Sequence, residues 1–455
     1  MLRSAASDDG PLTRFAAWLA DGPGLDAATM AEARLGLLDT LGCVASGAGT
    51  PLAEKLRAAL PRGGDRSGFG LAHAGPGDAA MYFAAAAHAE DFDDSELIGS
   101  AHPSAVVLGA LMALAGAHTR ADDFLGAYAA GVEGIAQLGS ALGYGHYRLG
   151  WHATGTLGPV GAAAAAASLL RLDAGQASAA LSLASSRAGG LKSQFGSDAK
   201  PMQAGFAAKA GVEAALLARS GVTGAGDVWA GRNALIDLYG ATDSPGFPGE
   251  LVLHRPLATG QIARKRFPSC AYTHRAIAAA LELDLPASEI ASGEIDMPAP
   301  FAAVAGNCNP RSAAEARFST TWCVACALEN RGVTTDSFGD AMLDRIDLRG
   351  LEARLSCRPR QVPAGITDLS ADYPDRVTVT LTDGTIRSAE VAEVPGGPGD
   401  PMNACEIEAK VSACFASFGL SDAAASALSG AVLDAPATMP LAEWLGGELI
   451  LFCNS

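Results

Sequence analysis

The chain has 455 residues, 49% of them hydrophobic but only 6% aromatic, and a formal net charge of −17. This length allows two or more domains, and an apolar content rich in alanine favours close-packed helices over a β-sandwich. The negative charge argues against nucleic acid or an anionic membrane as a partner. The nine cysteines are scattered and no segment resembles a secretion signal or a membrane span, so we expect a cytoplasmic protein with reduced thiols.

Helical periodicity extends from about residue 12 to residue 224, most clearly over 29–48, 79–89, 104–117 and 126–142. Asp173 stands where a helix N-cap is expected. After residue 260, β-branched residues over 294–297 and 377–381 indicate strands, and Asp383 with Gly384 predicts a hairpin turn before a strand over 386–394. Helical spacing returns over 406–418 and 422–433.

These patterns predict a mostly α protein. A large all-helical domain is formed by both chain ends, residues 1–260 completed by 401–455, and a smaller α+β lid domain, residues 261–400, is inserted between them.

An acidic run lies between alanine-rich helices and is the first candidate for a functional site. It contains two histidines and five carboxylates, namely His88, Glu90, Asp91, Asp93, Asp94, Glu96 and His102. Charged groups that enter an apolar helical body must be paired or hydrogen-bonded, so such clustering often marks a site.

A second cluster combines glycines at 145, 150, 155 and 158 with His146, Tyr147, Arg148, His152 and Thr154. The glycines permit close backbone approach, and the polar side chains supply donors and acid/base groups. The competing interpretation is a connection between helices in which His152 caps the second helix.

Two basic segments supply positive charge. Lys200 precedes Pro201, a helix-initiating residue, which would place its ammonium near a helix N-terminus, a setting that favours a carboxylate ligand. Arg264, Lys265 and Arg266 form a run of three cations ahead of Cys270 and His274, and such a run can bind a polycarboxylate. In both cases the competing interpretation is a solvated surface.

Cys323 and Cys326 have a metal-ligand spacing but no second pair, so we expect core packing and no metal site.

Taken in order, these clusters resemble the MmgE/PrpD family, which includes 2-methylcitrate dehydratase, cis-aconitate decarboxylase and iminodisuccinate epimerase. The matching stretches are 88–94 with 101–104, 150–161, 190–211 and 265–274. The resemblance implies a homodimer with no cofactor and an active site between the two domains. By motif, it assigns that site to Asp91, Ser95, His102, His152, Lys200 and Lys265. Two positions depart from the family pattern: Cys270 stands where the decarboxylase branch has histidine, and Trp322 where many members have tyrosine.

The residue types suit proton removal next to a carboxylate. Lys200 and Lys265, with nearby Arg266, would bind substrate carboxylates and stabilise the developing enolate-like charge. His102 or His152 would act as base or acid, with Asp91 tuning the imidazole. Further residues expected to contact substrate are Ser95, Cys270 and Trp322. The remaining acidic residues of the run are expected to be solvated or structural.

The preferred reaction is that of a 2-methylcitrate-dehydratase-like lyase, which removes a proton α to a carboxylate of a small di- or tricarboxylic acid and expels water. One alternative is an epimerase of an iminodisuccinate-like polycarboxylate, with Tyr147 as the acid on the second face. A second alternative is a cis-aconitate-type decarboxylase. A catalytically silent helical scaffold is a fourth possibility, although a scaffold needs none of His102, His152, Lys200 and Lys265.

Overall fold

The protein is described by a computed structural model over residues 10–22, 24–60, 75–252, 258–363 and 366–445. Helices dominate these ranges, and strands are confined to two small sheets. The predicted fold class, mostly α with a small α+β part, is therefore confirmed. Within the described ranges no helix combines the length and the apolar character that crossing a membrane requires.

The N-terminal half forms a helical body. Its helices are α1 (Pro11–Asp21), α2 (Ala27–Ala48), α3 (Pro51–Ala59), α4 (Pro76–His88), α5 (Pro103–Leu114), α6 (Ala121–Arg148), α7 (Ala153–Leu169), α8 (Ala174–Ser185), α9 (Ala199–Arg219) and α10 (Leu235–Tyr239). Asp173 caps α8 as predicted, and its carboxylate accepts a hydrogen bond from the Gln176 backbone N–H. Helix α6 continues to Arg148, beyond the predicted end at residue 142, after a break at Gly143, whose φ is 65°.

Small side chains allow the central helices to pack closely. Helix α7 carries six consecutive alanines, residues 162–167, and all are at most 2% exposed. A helix that is apolar on every face belongs in a core, and α7 lies among α5, α6, α8 and α9. Gly155, in the first turn of α7, is required by close approach, because a Cβ there would overlap the carbonyl oxygen of Gly189.

The C-terminal segment returns to this body through α17 (Ala404–Ser417), α18 (Asp422–Asp434) and α19 (Leu441–Trp444). Helix α17 begins with a capping box formed by Asn403 and Glu406, and it packs on α2, where Val411 contacts Gly42. Both helices predicted in this segment are confirmed. The helical body is thus built from both ends of the described chain.

The α+β part contains α11 (Ala271–Leu283), β3 (Ile290–Pro298), α12 (Ala299–Ala305), α13 (Ala313–Ala316), α14 (Thr320–Asn330), α15 (Asp340–Leu343), α16 (Ile346–Glu352), β4 (Leu355–Arg360), β5 (Asp375–Leu381) and β6 (Ile386–Val391). The strand order is β4-β3-β5-β6, with β3 and β4 parallel and the other pairs antiparallel. The predicted hairpin joins β5 to β6, and Gly384 has the positive φ of 86° that its turn requires. Strand β6 ends at Val391, three residues before the predicted end.

This part has a core of its own, made of residues between Ala276 and Leu381. Cys323 and Cys326 lie in that core on α14, as predicted. The division at residues 260 and 400 stays a prediction.

A second, two-stranded sheet was not predicted. Strand β1 (Ser95–Glu96) pairs antiparallel with β2 (Ile262–Ala263). This pairing brings the acidic run after α4 next to the basic run that begins at Arg264. Lys265, which follows β2, contacts Asp91 there.

Candidate active site

Five polar residues predicted from the sequence meet where several helices of the body begin or end. Asp91 lies in the loop after α4 with a φ of 52°, in the left-handed region that residues other than glycine rarely adopt. His102 and His152 are the N-cap residues of α5 and α7, and Lys200 lies in the first turn of α9. Lys265 follows β2 directly. The Lys200 and Lys265 side chains are both at most 5% exposed, so the surface interpretation is wrong for both.

The Asp91 carboxylate binds both ammonium groups through one oxygen. Its Oδ1 is 2.9 Å from Lys200 Nζ and 2.5 Å from Lys265 Nζ. Lys265 also donates to the Asp91 backbone carbonyl at 2.8 Å. Burial by itself would raise the pKa of Asp91, but the two ammonium groups outweigh it and hold the pKa well below its usual range. We name this group the lysine–aspartate cluster; with both lysines protonated it carries one positive charge in excess.

Three imidazoles surround the lysine–aspartate cluster. The ring centroids are 4.4 Å apart for His88 and His102, 5.9 Å for His88 and His152, and 6.3 Å for His102 and His152. Burial, reinforced by the nearby ammonium groups, holds the pKa of each well below its usual range. All three rings are therefore neutral near pH 7.

Hydrogen bonds fix which nitrogen of each ring carries the proton. His88 Nδ1 is 2.8 Å from a carboxylate oxygen of Asp93, and His102 Nδ1 is 2.7 Å from the Asp94 backbone carbonyl. Each of these acceptors requires a proton on Nδ1, so each Nε2 has a lone pair. The lone pair on His88 Nε2 already accepts a hydrogen bond from Lys200 Nζ, at 2.9 Å.

His152 has the most available lone pair of the three. The Gln203 amide donates from Nε2 to the Leu191 carbonyl at 3.1 Å, which turns its Oε1 toward His152 Nδ1 at 2.6 Å. Nδ1 must therefore donate, and Nε2 is the basic nitrogen. Among the described residues, His152 Nε2 has no hydrogen-bond partner although it is buried. A neutral base with a free lone pair thus lies beside the lysine–aspartate cluster.

The same imidazoles are close enough together for a metal ion, since one ligand atom from each of His88, His102 and His152 fits within 4.8 Å. His88, Asp91, Asp93 and His102 form a second such group, which includes two carboxylates. Existing bonds and neighbouring cations nevertheless compete with an ion. Lys200 already hydrogen-bonds His88 Nε2, and two ammonium groups next to the imidazoles repel a divalent cation. The arrangement suits an anionic ligand better.

Asp91, His102, His152 and Lys200 border a small, partly enclosed cavity between the helical body and the α+β part. Its volume is about 30 Å³, room for about one water molecule. It is lined by Asp91, Ser95, Ser100, His102, Tyr147, His152, Phe195, Lys200, Cys270, Ala271, Tyr272, Phe318, Asp368 and Leu369. Two buried polar atoms of this lining, Asp91 Oδ2 and His152 Nε2, lack a hydrogen-bond partner in the part of the chain that the structure describes. Unpaired buried polar atoms are costly, so they mark a place that a ligand can complete.

A larger cleft adjoins the cavity. Its volume is about 850 Å³, and it shares Asp91, Lys200 and Phe318 with the cavity lining. This is the size of a site for a small molecule.

The structure brings most of the predicted site residues together. Those that line the cavity are Asp91, Ser95, His102, Tyr147, His152, Lys200 and Cys270, and Lys265 is bonded to Asp91. Burial raises the pKa of Tyr147 well above its ordinary value and that of Cys270 to about 12, so both side chains keep their protons near pH 7.

Two predicted contact residues lie elsewhere. Arg266 forms ion pairs with Asp400 at 3.3 Å and Glu406 at 3.0 Å, outside the cavity lining. The neighbouring Arg264 binds Glu32, so the three consecutive cations point to three different partners and form no common field. Trp322 is fully buried in the core of the α+β part, where its indole N–H donates to the Ser337 carbonyl at 3.0 Å.

The remaining acidic residues of the run are structural rather than solvated. Asp94 accepts from Ser104 and has its pKa raised by burial to about 7, and Glu96 accepts from the backbone N–H groups of Ile98 and Gly99. Glu90 forms an ion pair with Arg317 at 3.0 Å. The side chains of Asp93, Asp94 and Glu96 are all at most 1% exposed, so the alternative of solvated carboxylates is wrong for them.

Sequence reasoning assigned no role in the site to five residues that shape it, namely His88, Ser100, Gln203, Tyr272 and Asp368. His88 had a signal, because it ends an alanine-rich helix inside the acidic run. Gln203 lies three residues after Lys200 and therefore on the same side of α9. Ser100 and Asp368 belong to no local motif.

Comparisons with known proteins identify the family of the chain. Residues 13–248 match the MmgE/PrpD N-terminal domain, and residues 267–434 match the MmgE/PrpD C-terminal domain. Together the two domain models cover most of the chain, and the chain belongs to the MmgE/PrpD family.

The similar curated proteins are cis-aconitate decarboxylases. The chain is 31% identical to the one from Homo sapiens over 328 residues and 29% identical to the one from Mus musculus over 334 residues. Each of these matches covers 68% of this chain and 66% of the relative, just under two thirds of its length. The chain is also 34% identical to the Aspergillus terreus protein over 199 residues, 41% of this chain and 40% of the relative. These relatives are enzymes.

Proposed function

We propose that this protein is a cofactor-independent lyase that removes a proton α to a carboxylate of a small di- or tricarboxylic acid. The observation that carries the proposal is the free Nε2 of His152 beside the lysine–aspartate cluster. A base and fixed positive charge are the two requirements of this chemistry, because the carbanion that forms is stabilised as an enolate next to cations.

Each group has a defined role. Lys200 and Lys265 attract a substrate carboxylate with the excess charge of the cluster, and Asp91 holds both ammonium groups at one point. His152 accepts the carbon-bound proton at Nε2, while Gln203 keeps the ring in the required tautomer. His102 Nε2 also has a lone pair, 3.9 Å from Asp91 Oδ1, which makes His102 the second acid/base group.

Loss of water is the reaction that we prefer. The departing hydroxyl needs a proton donor, and the cavity offers protonated Tyr147 and Cys270. An epimerase would use the same base with Tyr147 as the acid on the second face. A cis-aconitate-type decarboxylase is supported by the names of the relatives and disfavoured by Cys270, which replaces the histidine of that branch.

A polycarboxylate needs more room than about 30 Å³, so we propose that it enters through the adjoining cleft and separates the walls of the cavity.

A homodimer is proposed on the family resemblance alone. A cytoplasmic location is supported by the described cysteines, all eight of which are free thiols.

The test is incubation with 2-methylcitrate, cis-aconitate and iminodisuccinate in deuterated water, followed by NMR. Water loss from 2-methylcitrate supports the hydro-lyase, release of carbon dioxide from cis-aconitate supports the decarboxylase, and deuterium exchange without net conversion supports the epimerase. His152→Gln should abolish whichever reaction is found. His118→Gln, at an exposed histidine, is the matched control and should leave it unchanged. If the protein showed no conversion and no exchange with any of the three acids, that result would contradict the proposal.

A further inference from the structure

An ion pair between Glu90 and Arg317 lies in the wall of the larger cleft, beside the cavity. Glu90 comes from the loop after α4 of the helical body, and Arg317 lies between α13 and α14 of the α+β part. Phe318, the next residue, lines both the cleft and the cavity, and the Arg317 carbonyl accepts a hydrogen bond from the Cys270 N–H at 2.9 Å. A molecule that passes from the cleft to the cavity would therefore meet Arg317.

The Arg317 guanidinium is only partly used by its present partner. Its Nη2 donates to Glu90 Oε1 at 3.0 Å, and its Nε, although buried, has no hydrogen-bond partner in the described part of the chain. The side chain is 10% exposed, and its Cζ lies over the Phe338 ring, 5.0 Å from the centroid. Nε and Nη2 form one edge of a guanidinium, and such an edge can bind both oxygens of a carboxylate. Arg317 thus has a donor to offer a carboxylate that Glu90 leaves unused.

Glu90 has other partners that would remain if this contact were broken. Its Oε2 accepts a hydrogen bond from the Ser46 hydroxyl, which lies 3.0 Å from Ser417 Oγ. Both serines belong to the helical body, so they hold the carboxylate there whether or not Arg317 contacts it. An incoming anion would displace a single contact of Glu90.

The charges favour such an exchange. Glu90 and Arg317 neutralise each other, and the lysine–aspartate cluster has one positive charge in excess, which suits one carboxylate. A second carboxylate is best bound by a second cation. Apart from Lys200 and Arg317, the described cleft lining contains the cation Arg345, which is 32% exposed and already paired with two carboxylates. Arg317 is buried, and it is close enough to Asp91 of the cluster for their charges to interact.

We propose that Arg317 exchanges Glu90 for a carboxylate of the substrate as the substrate passes from the cleft into the cavity. This inference rests on the proposed function, because it assumes a substrate with two or more carboxylates. Arg317 then holds one carboxylate while the lysine–aspartate cluster binds another, so an acid with a single carboxylate is selected against. The exchange also releases an ion pair between the α+β part and the helical body, which helps the cavity walls to separate.

Tricarballylate, which has three carboxylates, is the probe for isothermal titration calorimetry. Glu90→Gln should bind it about threefold to tenfold more tightly than the unmodified protein does, because the competing carboxylate is gone. The double variant Glu90→Gln with Arg317→Gln keeps the net charge of the unmodified protein and leaves no unpaired charge in the wall, yet it should bind about tenfold more weakly. Asp340→Asn, at an exposed carboxylate of the same cleft lining, is the matched control and should leave the affinity unchanged.

Two results would overturn the exchange and leave the proposed polycarboxylate site standing. One is a Glu90→Gln variant that binds no more tightly than the unmodified protein, as expected of an ion pair that only stabilises the fold. The other is a double variant that binds as tightly as the unmodified protein, which would assign the effect of Glu90 to net charge alone. Lys265→Met should weaken binding in either case and tests the polycarboxylate site separately. If tricarballylate did not bind the unmodified protein at all, the exchange and the polycarboxylate proposal would both fail.

Discussion

Lys410 links the C-terminal helix α17 to the active-site loop, and its loss should be severe. Its ammonium is 2.7 Å from Asp39 Oδ1 on α2, with side chains 3% and 1% exposed. It also donates to the Phe92 carbonyl at 2.7 Å, one residue after Asp91, and lies 4.1 Å from the centroid of the Phe92 ring. Burial alone would lower the pKa of Lys410, but the Asp39 carboxylate outweighs it and raises the pKa.

Lys410→Met leaves the Asp39 carboxylate buried without its counter-charge. Removal of one partner of a buried ion pair costs about 3–5 kcal/mol, so the free energy of unfolding, measured by urea denaturation, should fall by about that amount. The activity should fall as well, because the Phe92 carbonyl loses the donor that fixes the backbone beside Asp91. A loss of stability below about 1 kcal/mol would refute the reasoning.

Two controls separate the buried charge from other effects. Adding Asp39→Asn to Lys410→Met should recover a substantial part of the lost stability, because no unpaired carboxylate remains. Lys55→Met breaks the ion pair with Asp198, whose side chains are 65% and 55% exposed, and should cost no more than about 1 kcal/mol. A double variant as unstable as Lys410→Met would show that the buried carboxylate is not the cause.

His102→Ala should abolish turnover without changing the circular dichroism spectrum, and normal turnover would remove His102 from the mechanism. Lys265→Met should chiefly raise KM for the polycarboxylate, and an unaltered KM would contradict its proposed contact with the carboxylate. Gln203→Leu should lower kcat about tenfold to a hundredfold, because it leaves the His152 Nδ1–H unpaired at a cost of about 1–3 kcal/mol. It also allows the tautomer in which Nε2 carries the proton and cannot act as the base. A wild-type kcat would argue that Gln203 does not control the tautomer of His152. The acidic limb of the pH profile of kcat/KM should lie below pH 6.5, because the pKa of His152 is depressed and a base works in its unprotonated form. Loss of activity above pH 6.5 through protonation of the base would contradict this.

The sequence was sufficient to predict the fold class and several of the polar residues that the structure brings together around Asp91. Helices could be recognised from the periodicity of their alanine-rich segments. Polar groups are rare in these segments, so Asp91, His102, His152 and Lys200 were noticeable. The β5–β6 hairpin could be recognised because its turn needs a positive φ, which Gly384 supplies. These signals are local, and they remain visible in a single sequence.

The errors arose where partners are distant in the chain. Arg264, Lys265 and Arg266 are adjacent in sequence, but their side chains bind Glu32, Asp91 and the pair Asp400 and Glu406 in different directions. Adjacency therefore does not imply a shared electrostatic field.

Other features had no local pattern at all. Strands β1 and β2 have two residues each, too short for the alternation that reveals a strand. Asp368 and Ser100 meet only in the folded chain, and neither belongs to a motif. Both line the cavity, which only a three-dimensional structure reveals.

The most direct test of the proposed site is a crystal structure of the protein with citrate bound. We expect one carboxylate within hydrogen-bond distance of Lys200 Nζ or Lys265 Nζ, and a carbon α to a carboxylate within about 3–3.5 Å of His152 Nε2. Citrate bound away from the lysine–aspartate cluster, or with every such carbon out of reach of His152, would contradict the account.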